Sequence, residues 1–312
     1  MSEIIRDGSV AGGIPAVPQF RPVDSGVFAD RAARLRTLAP GHALEGYLRF
    51  AAALSDAQDK ALRAATLSSS SGARWGSAPD ERTLQHCREH GLPPLSVDGH
   101  RRDPVWREVL AAISGTFNPD ALPPQARDVL SALAAAPVDS LESAASSLLA
   151  GAYAEVDAGR APFIAAALQV YWVRMALHLA GAGFSRDVRY GLCPVCGSHP
   201  VASVVRVGGA AQGLRYLVCS LCASEWHVVR VKCPACASTK GIGYLGIEGA
   251  NPAIKAECCD ECRAYLKIFY LEKDTALEPV ADDLATLALD LLVDEQGYNR
   301  AGPNLLFLPG AA

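Results

Sequence analysis

The sequence has no uninterrupted apolar stretch of the roughly 20 residues that a membrane-spanning helix needs. The longest candidate is residues 161–181, APFIAAALQVYWVRMALHLAG, which contains Gln169, Arg174 and His178. We expect this segment to be a buried helix, and we expect no insertion into a membrane. The N-terminal segment MSEIIRDGSVAGGIPAVPQF also lacks an apolar core of signal-peptide length, so we expect no export signal.

Sequence patterns typical of catalytic and nucleotide-binding sites are also missing. The chain contains no G-x-S-x-G, no Walker loop, no dinucleotide fingerprint and no clear pair of catalytic carboxylates. Its 29 basic and 33 acidic residues give a formal net charge of −4, which does not favour contact with a phosphate backbone. We therefore expect a protein that is not an enzyme and that does not bind nucleic acid.

Two regions of different composition divide the chain. From about residue 24 to 185 it is rich in Ala and Leu with helical periodicity, which predicts an all-α domain of six or seven helices. Beyond Tyr190, Cys, Gly, Val and Pro become frequent, and short β-prone runs appear. After Lys273 the pattern EPVADDLATLALDLLVDEQGY predicts a C-terminal helix.

Eight of the ten cysteines follow a repeat. The pattern C-x2-C-x22-C-x2-C occurs twice in succession with identical spacing, so that each cysteine of the first copy has an equivalent in the second. The repeated cysteines are Cys193, Cys196, Cys219, Cys222, Cys233, Cys236, Cys259 and Cys262. The remaining neighbour, Cys258, aligns with Val218, so we expect it to be a small buried side chain outside the repeat.

This spacing is typical of metal binding. Two thiolates separated by two residues can bind one ion from a single turn, and two such turns complete a tetrahedral site. Cysteines that are not exported stay reduced, which favours metal over disulfides. We expect one ion per repeat; the alternative is a crossed arrangement in which the pair Cys193 and Cys196 shares an ion with the pair Cys233 and Cys236. Four thiolates suit zinc and iron alike.

The composition and the repeat together predict an α+β protein. We expect an all-α helical N-terminal domain, two tandem four-cysteine modules of the rubredoxin-like or zinc-ribbon-like kind, and a C-terminal helix. The predicted segments are a flexible N-terminus (1–20), the helical domain (21–187), the first four-cysteine module (188–230), the second four-cysteine module (231–273), and the C-terminal helix and tail (274–312).

Other possible ligands are weaker candidates. His86 and His90 lie one helical turn apart beside Cys87, but no further ligand is evident, so a polar helix surface is expected. His199 and His227 lie within the modules, where eight thiolates already complete two tetrahedra, so we expect them beside the sites or at the surface. Four cations either offset the charge of the metal–thiolate sites or are solvated: Arg230, Lys232, Lys255 and Lys267.

Three segments carry a family resemblance: CPVCGSHPVASVV, GLRYLVCSLCASEWHVVRVKCPAC and IKAECCDECRAYLKIFYLEKD, followed by VADDLATLALDLL. They resemble the formate dehydrogenase accessory protein family, FdhE, over residues 190–312; the helical part fits in length and character. The resemblance implies a cytoplasmic, non-catalytic maturation factor that binds the catalytic subunit of formate dehydrogenase. It also implies rubredoxin-like iron, at two mononuclear four-cysteine sites, with zinc as the alternative. Cys258 departs from the family's ligand pattern.

Two other functions fit a pair of four-cysteine modules. One is a zinc-ribbon module that binds nucleic acid or serves as a general protein-interaction surface; the other is a rubredoxin-like electron-transfer protein. A thioredoxin-like function is not favoured, because the C-x-x-C pairs do not lie at strand–helix junctions of a βαβ unit. Metal analysis together with the capture of a partner protein distinguishes these functions.

Overall fold

The helical domain comes first in the chain. The computed structural model describes residues 17–68, 79–179 and 190–308. In its first two ranges it contains α1 (Val27–Leu38), α2 (Glu45–Ser68), α3 (Glu81–His90), α4 (Val105–Ser114), α5 (Pro124–Ala134), α6 (Val138–Leu149) and α7 (Ala161–His178). Residues 1–16 of the predicted flexible N-terminus lie outside the described residues, and Phe20 lies in a short strand. The predicted all-α character of this half is confirmed.

Helix α7 lies at the centre of the helical domain. Every residue from Ala161 to Ala176 is buried, as expected for a helix that is apolar all round and enclosed by protein. Its polar residue Gln169 is hydrogen-bonded within the protein. The Gln169 side chain accepts a hydrogen bond from Gln58 at 2.9 Å and donates one to the Ser220 carbonyl at 2.7 Å. No helix in the described ranges has both the length and the apolarity to cross a bilayer.

The second half forms one mixed sheet. Its strands are β1 (Phe20–Arg21), β2 (Pro200–Val205), β3 (Arg215–Cys219), β4 (Glu225–His227), β5 (Ile242–Leu245), β6 (Ile254–Cys259), β7 (Ala264–Tyr270) and β8 (Asn299–Arg300). They are ordered β1-β4-β3-β2-β7-β6-β5, and β8 pairs with β7 as well. Each four-cysteine module supplies three consecutive strands that pair antiparallel.

The two modules join edge to edge in the same orientation. Strand β2 of the first module pairs in parallel with β7 of the second, with Ser203 beside Ile268 and Val205 beside Tyr270. Across this junction Arg215 on β3 forms an ion pair with Glu257 on β6 at 2.7 Å, and both side chains are at most 1% exposed. The tandem modules are therefore one continuous structure with a buried charge pair between them.

The predicted C-terminal helix is present as two consecutive helices, α8 (Pro279–Ala285) and α9 (Leu287–Glu295). The break lies at Thr286, whose hydroxyl donates to the Asp282 carbonyl at 2.7 Å. The buried ammonium of Lys267, on β7, donates to the carbonyls of Asp283 and Thr286 at 2.8 and 3.0 Å. It satisfies the carbonyls at the end of α8, where a helix leaves them without intrahelical partners.

Both C-terminal helices are held to the rest of the molecule by charge. Arg34 on α1 donates to both carboxylate oxygens of Asp282 at 2.9 and 2.7 Å, and bidentate pairs of this kind fix orientation as well as distance. Asp290 on α9 forms ion pairs with Lys267 at 2.6 Å and with Arg300 at 3.1 Å. The end of the chain therefore packs back on both the helical domain and the sheet.

Candidate metal centres

The first cluster contains Cys193, Cys196, Cys219 and Cys222. The sulfur atoms of Cys193 and Cys222 are 3.5 Å apart, and those of Cys196 and Cys219 are 3.4 Å apart. All four side chains are buried, with at most 1% exposure. The cysteines come together within one repeat, and the crossed arrangement is not adopted.

The second cluster contains Cys233, Cys236, Cys259 and Cys262. The sulfur atoms of Cys233 and Cys262 are 3.7 Å apart, as are those of Cys236 and Cys259. Cys233 and Cys259 are buried, whereas Cys236 and Cys262 reach the surface. The two clusters have the same spacing in sequence and differ in their access to solvent.

Both clusters have the dimensions of a tetrahedral four-sulfur site. In each, the four sulfur atoms lie within 4.8 Å of one another. A zinc–sulfur bond of about 2.3 Å places the sulfurs of a regular tetrahedron about 3.8 Å apart. The observed contacts are slightly shorter, so each cluster could hold one metal ion after a small expansion. Among the described residues, no other group brings three or more possible ligand atoms this close together.

Each C-x-x-C turn ends in a left-handed residue. The residue after the second cysteine has a φ of 77° at Gly197, 55° at Ala223, 62° at Ala237 and 56° at Arg263. The last three are the non-glycine residues with positive φ in the described chain, and this conformation costs about 1–2 kcal/mol for a residue with a Cβ. The turn also directs amides at sulfur: the Ala235 amide donates to the Cys233 sulfur at 3.4 Å. The local backbone is therefore shaped around thiolates.

The first cluster is built into the helical domain. The amides of Leu95 and Val97 donate to the carbonyls of Val195 and Cys196, each at 2.9 Å. The indole of Trp172, on α7, donates to the Leu95 carbonyl at 2.9 Å. These bonds hold the first C-x-x-C turn against the segment after α3, so the first cluster also fastens the two halves of the molecule together.

Burial makes the full ionisation of the first cluster, with all four thiols deprotonated, depend on a cation. Desolvation raises the pKa of Cys193 and of Cys219 well above the usual thiol range. Four thiolates in a buried site repel one another and have no solvent to stabilise them. A bound divalent ion supplies the missing positive charge and removes the thiol protons. The donor set is therefore suited to a metal and unsuited to free thiolates.

Cys258 lies outside both clusters, in line with the repeat. It is buried on β6, and its thiol donates to the Ala256 carbonyl at 3.8 Å, the distance from sulfur to oxygen. Burial raises the pKa of this thiol to about 11. Cys258 is consequently a neutral buried side chain at neutral pH, as Val218 is apolar at the equivalent position.

The other sequence candidates do not join a cluster. On α3, His86 and His90 are exposed with ring centroids 4.4 Å apart, while Cys87 between them is buried. His199 is exposed, and its backbone carbonyl accepts a bond from the Ser220 hydroxyl. His227 packs edge-on against Tyr216 at 5.8 Å.

Lys267 has a role that the sequence did not reveal. Its side chain is fully buried, and it pairs with Asp283 and Asp290 of the C-terminal helices at 3.4 and 2.6 Å. The Lys267 side chain is therefore not solvated, and its ion-pair partners are aspartates of the C-terminal helices and not the cysteine clusters. The available signal was the pair of aspartates within an otherwise apolar helical pattern, since buried carboxylates need a cation.

Comparison with known proteins gives one consistent result. Models of three successive FdhE domains match the chain: the N-terminal domain over residues 17–186, the central domain over residues 192–230 and the C-terminal domain over residues 231–307. Together these matches include both clusters. Among related sequences, the "Protein FdhE homolog" of Edwardsiella ictaluri is 44% identical over 300 residues, covering 95% of this chain and 93% of the relative.

Two further relatives agree. "Protein FdhE" of Escherichia coli K12 is 41% identical over 296 residues, covering 94% of this chain and 92% of the relative. The crystal structure of the FdhE protein from Pseudomonas aeruginosa superposes with a TM-score of 0.83 at 38% identity, covering 94% of this chain and 100% of that chain. Similarity in sequence and in fold extends over nearly the whole length of each protein.

Proposed function

Because the chain belongs to the FdhE family, we propose that it is a cytoplasmic accessory protein that binds the catalytic subunit of formate dehydrogenase during the maturation of that enzyme. Family membership supports the accessory role itself. We propose further that the protein performs no catalysis of its own and prepares the client by contact. The observation that carries the proposal is the pair of four-cysteine clusters on a fold that this family shares.

We propose that the eight clustered cysteines bind two metal ions, one in each cluster. Iron is the metal that the family resemblance favours, and zinc is the alternative, since four thiolates suit both. The ion contributes to folding, because the left-handed turns and the close sulfur atoms need a compensating bond energy. The chain supplies the turns, the amide donors and the buried setting that hold the ion in place.

A protein surface fits the charge of the molecule better than a nucleic acid does. The formal net charge is −4, and eight thiolates around two divalent ions would lower it by a further four. Strong binding to a phosphate backbone requires an excess of positive charge. The two modules, which join through a buried interface, are therefore proposed to shape a continuous surface for a protein client.

The test uses a strain from which the gene has been deleted, complemented by variants. Paired Cys→Ser replacement in either cluster should abolish formate-dependent dye reduction, and tagged wild-type protein should co-purify with the catalytic subunit. Cys258→Ser is the matched control, because it removes a buried thiol outside the clusters and should retain full activity. Full activity in the uncomplemented deletion strain, with no related gene present, would show that the role is wrong.

One observation favours electron transfer as a second candidate. Cys236 and Cys262 of the second cluster reach the surface, which is the access that one-electron exchange between a bound iron ion and a partner requires. A reversible iron reduction potential, together with reduction by a physiological donor at a useful rate, would support this function. Protein that contains zinc and remains active in maturation would exclude it.

A further inference from the structure

At one end of the sheet, in the part of the chain that the structure describes, lies β5, a strand of four residues, and the opposite terminal strand, β1, has only two. At the other end, β4 is covered by β1, with Phe20 beside Trp226 and Arg21 beside Glu225. Strand β5 is the last strand of the order, and no described strand pairs with its outer edge. Unpaired edges are pairing sites unless a protein blocks them with charge, proline or a bulge. The β5 sequence, Ile-Gly-Tyr-Leu, contains no charged residue and no proline.

The direction of the free backbone groups follows from the ladder. The Asp260 amide donates to the Gly241 carbonyl at 2.8 Å, which makes this a hydrogen-bonded pair in the antiparallel register that continues with Ile242 beside Cys259. Hydrogen-bonded and non-hydrogen-bonded pairs alternate along such a ladder. The amides and carbonyls of Ile242 and Tyr244 therefore point away from β6, toward the open side.

The side chains beside this edge are suited to contact. Tyr244, Leu245 and Ile247 are each 36–38% exposed, and they lie close together in the chain. A Cβ built at Gly243 would meet nothing within 4 Å. A glycine in an open strand interior often marks the close approach of another backbone. The edge thus offers free hydrogen-bonding groups, apolar side chains and room for a second chain.

The first module indicates the direction of a strand that fits. In the repeat that aligns Cys193 with Cys233, β2 corresponds to β5, and β2 already accepts β7 in parallel at the same edge. In the first module, the strand equivalent to β7 is β4, and the outer edge of β4 is already paired with β1. In a second copy of the chain, β4 and β7 are already paired on both sides, so neither is free to add in this orientation, which favours a strand from another protein.

We propose that β5 binds an extended segment of the client polypeptide, which adds a parallel strand to the sheet. This inference rests on the proposed function, since it names the mode by which the client is held. Lys240 and Glu248 are exposed at the two ends of the edge. The segment that fits is apolar at its centre, acidic toward its N-terminal end and basic toward its C-terminal end.

The experiment removes one outward amide from the full-length, metal-loaded protein. The ladder alternation directs the Gly246 amide to the open side, so Gly246→Pro deletes a donor without breaking a bond to β6. A Cβ at this position has its nearest neighbours at 3.9 Å, so Gly246→Ala is the matched control that keeps the amide. We expect Gly246→Pro to weaken capture of the catalytic subunit about tenfold and Gly246→Ala to leave it unchanged.

Two further measurements separate the possible outcomes. Amide exchange of residues 241–247 should slow when the client is bound, and Lys240→Glu combined with Glu248→Lys should weaken binding with no change in metal content. Wild-type protein that never captures the subunit contradicts the proposed function. Capture that is unaffected by Gly246→Pro and by the charge reversal, with no protection of β5, overturns only this inference. A dimer that Gly246→Pro dissociates, with client capture intact, would assign the edge to a second copy instead.

Discussion

Replacing Arg215 with Met should weaken the junction between the two modules and lower the free energy of unfolding. The guanidinium of Arg215 is the ion-pair partner of Glu257 at 2.7 Å, and both groups are buried. It also donates to the carbonyls of Arg230 and Lys232 at 3.1 and 3.4 Å, on the linker between the modules. Methionine fills much of the same volume but leaves the carboxylate without a cation.

The expected loss is about 3–5 kcal/mol of unfolding free energy, the usual cost of removing one partner from a buried ion pair. The hydrogen bond from Tyr244 to Glu257, at 2.9 Å, remains and moderates the loss. Replacing both partners, Arg215→Met with Glu257→Leu, removes the buried charge. This double variant should lose only about 1–2 kcal/mol, for the hydrogen bonds to the linker.

The pH dependence identifies the cause. Burial already raises the pKa of Glu257, and the charge of Arg215 opposes that rise. Without the arginine the folded-state pKa rises further, so the unfolded carboxyl releases its proton at lower pH than the folded one. The part of the destabilisation that comes from the unpaired carboxylate is absent below the unfolded pKa and grows above it, by up to about 1.4 kcal/mol per pH unit, until the folded-state pKa is reached. The loss of the linker hydrogen bonds is present at every pH.

Urea unfolding of metal-loaded protein, followed by tryptophan fluorescence between pH 5 and pH 8, measures these differences. The single variant should be closest in stability to the double variant at pH 5 and fall furthest below it at pH 8, whereas the double variant should show no such trend. A single variant as stable as the wild type at pH 8, or a double variant as unstable as the single one, would refute the reasoning.

Three other outcomes follow from the structure. Cys258→Ser should keep two ions per chain, whereas Cys259→Ser should lose the ion of the second cluster only, as elemental analysis would detect. During chelation the second cluster should release its ion first, and mass spectrometry should find Cys236 and Cys262 alkylated before any thiol of the first cluster. Gly302→Ala should cost about 1–3 kcal/mol, because its Cβ would lie 1.8 Å from the Pro200 carbonyl oxygen; thermal unfolding measures the loss.

Each of these outcomes has its control. Loss of the ion from Cys258→Ser protein would mean that the repeat aligns the wrong cysteine. Simultaneous alkylation of both clusters would contradict the difference in their burial. Gly99→Ala, where the nearest atom to a Cβ is 4.0 Å away, should leave thermal stability almost unchanged, and a loss equal to that of Gly302→Ala would remove the steric explanation.

The grouping of the cysteines could be predicted because it depends on local spacing. A C-x-x-C turn fixes two ligands by itself, and the identical spacing of the two repeats identifies the turns that belong together. The helical half could be predicted equally well, since its periodicity extends over many residues. The difference in burial between the two clusters could not be predicted from the sequence. Identical spacing gives no information on which cluster the segment containing Leu95 and Val97 covers.

The junction between the modules could not be predicted from the sequence either. Arg215 and Glu257 occupy positions whose equivalents in the other repeat are Lys255 and Leu217, so the repeat itself conceals the pair. The break at Thr286 escaped the helical pattern because its cause, the Lys267 ammonium, comes from a strand earlier in the chain. Features that depend on partners distant in sequence leave little local signal.

The bonds from Leu95 and Val97 to the first cluster have a consequence for protein synthesis. The ribosome synthesises these two residues long before Val195 and Cys196. The segment that contains Leu95 and Val97 therefore lacks its hydrogen-bond partners until the first C-x-x-C turn has been synthesised. Contacts between such distant segments form late and slowly. Since the docking turn is itself shaped around a metal site, the supply of the ion should set the time at which the first half of the chain becomes resistant to proteases.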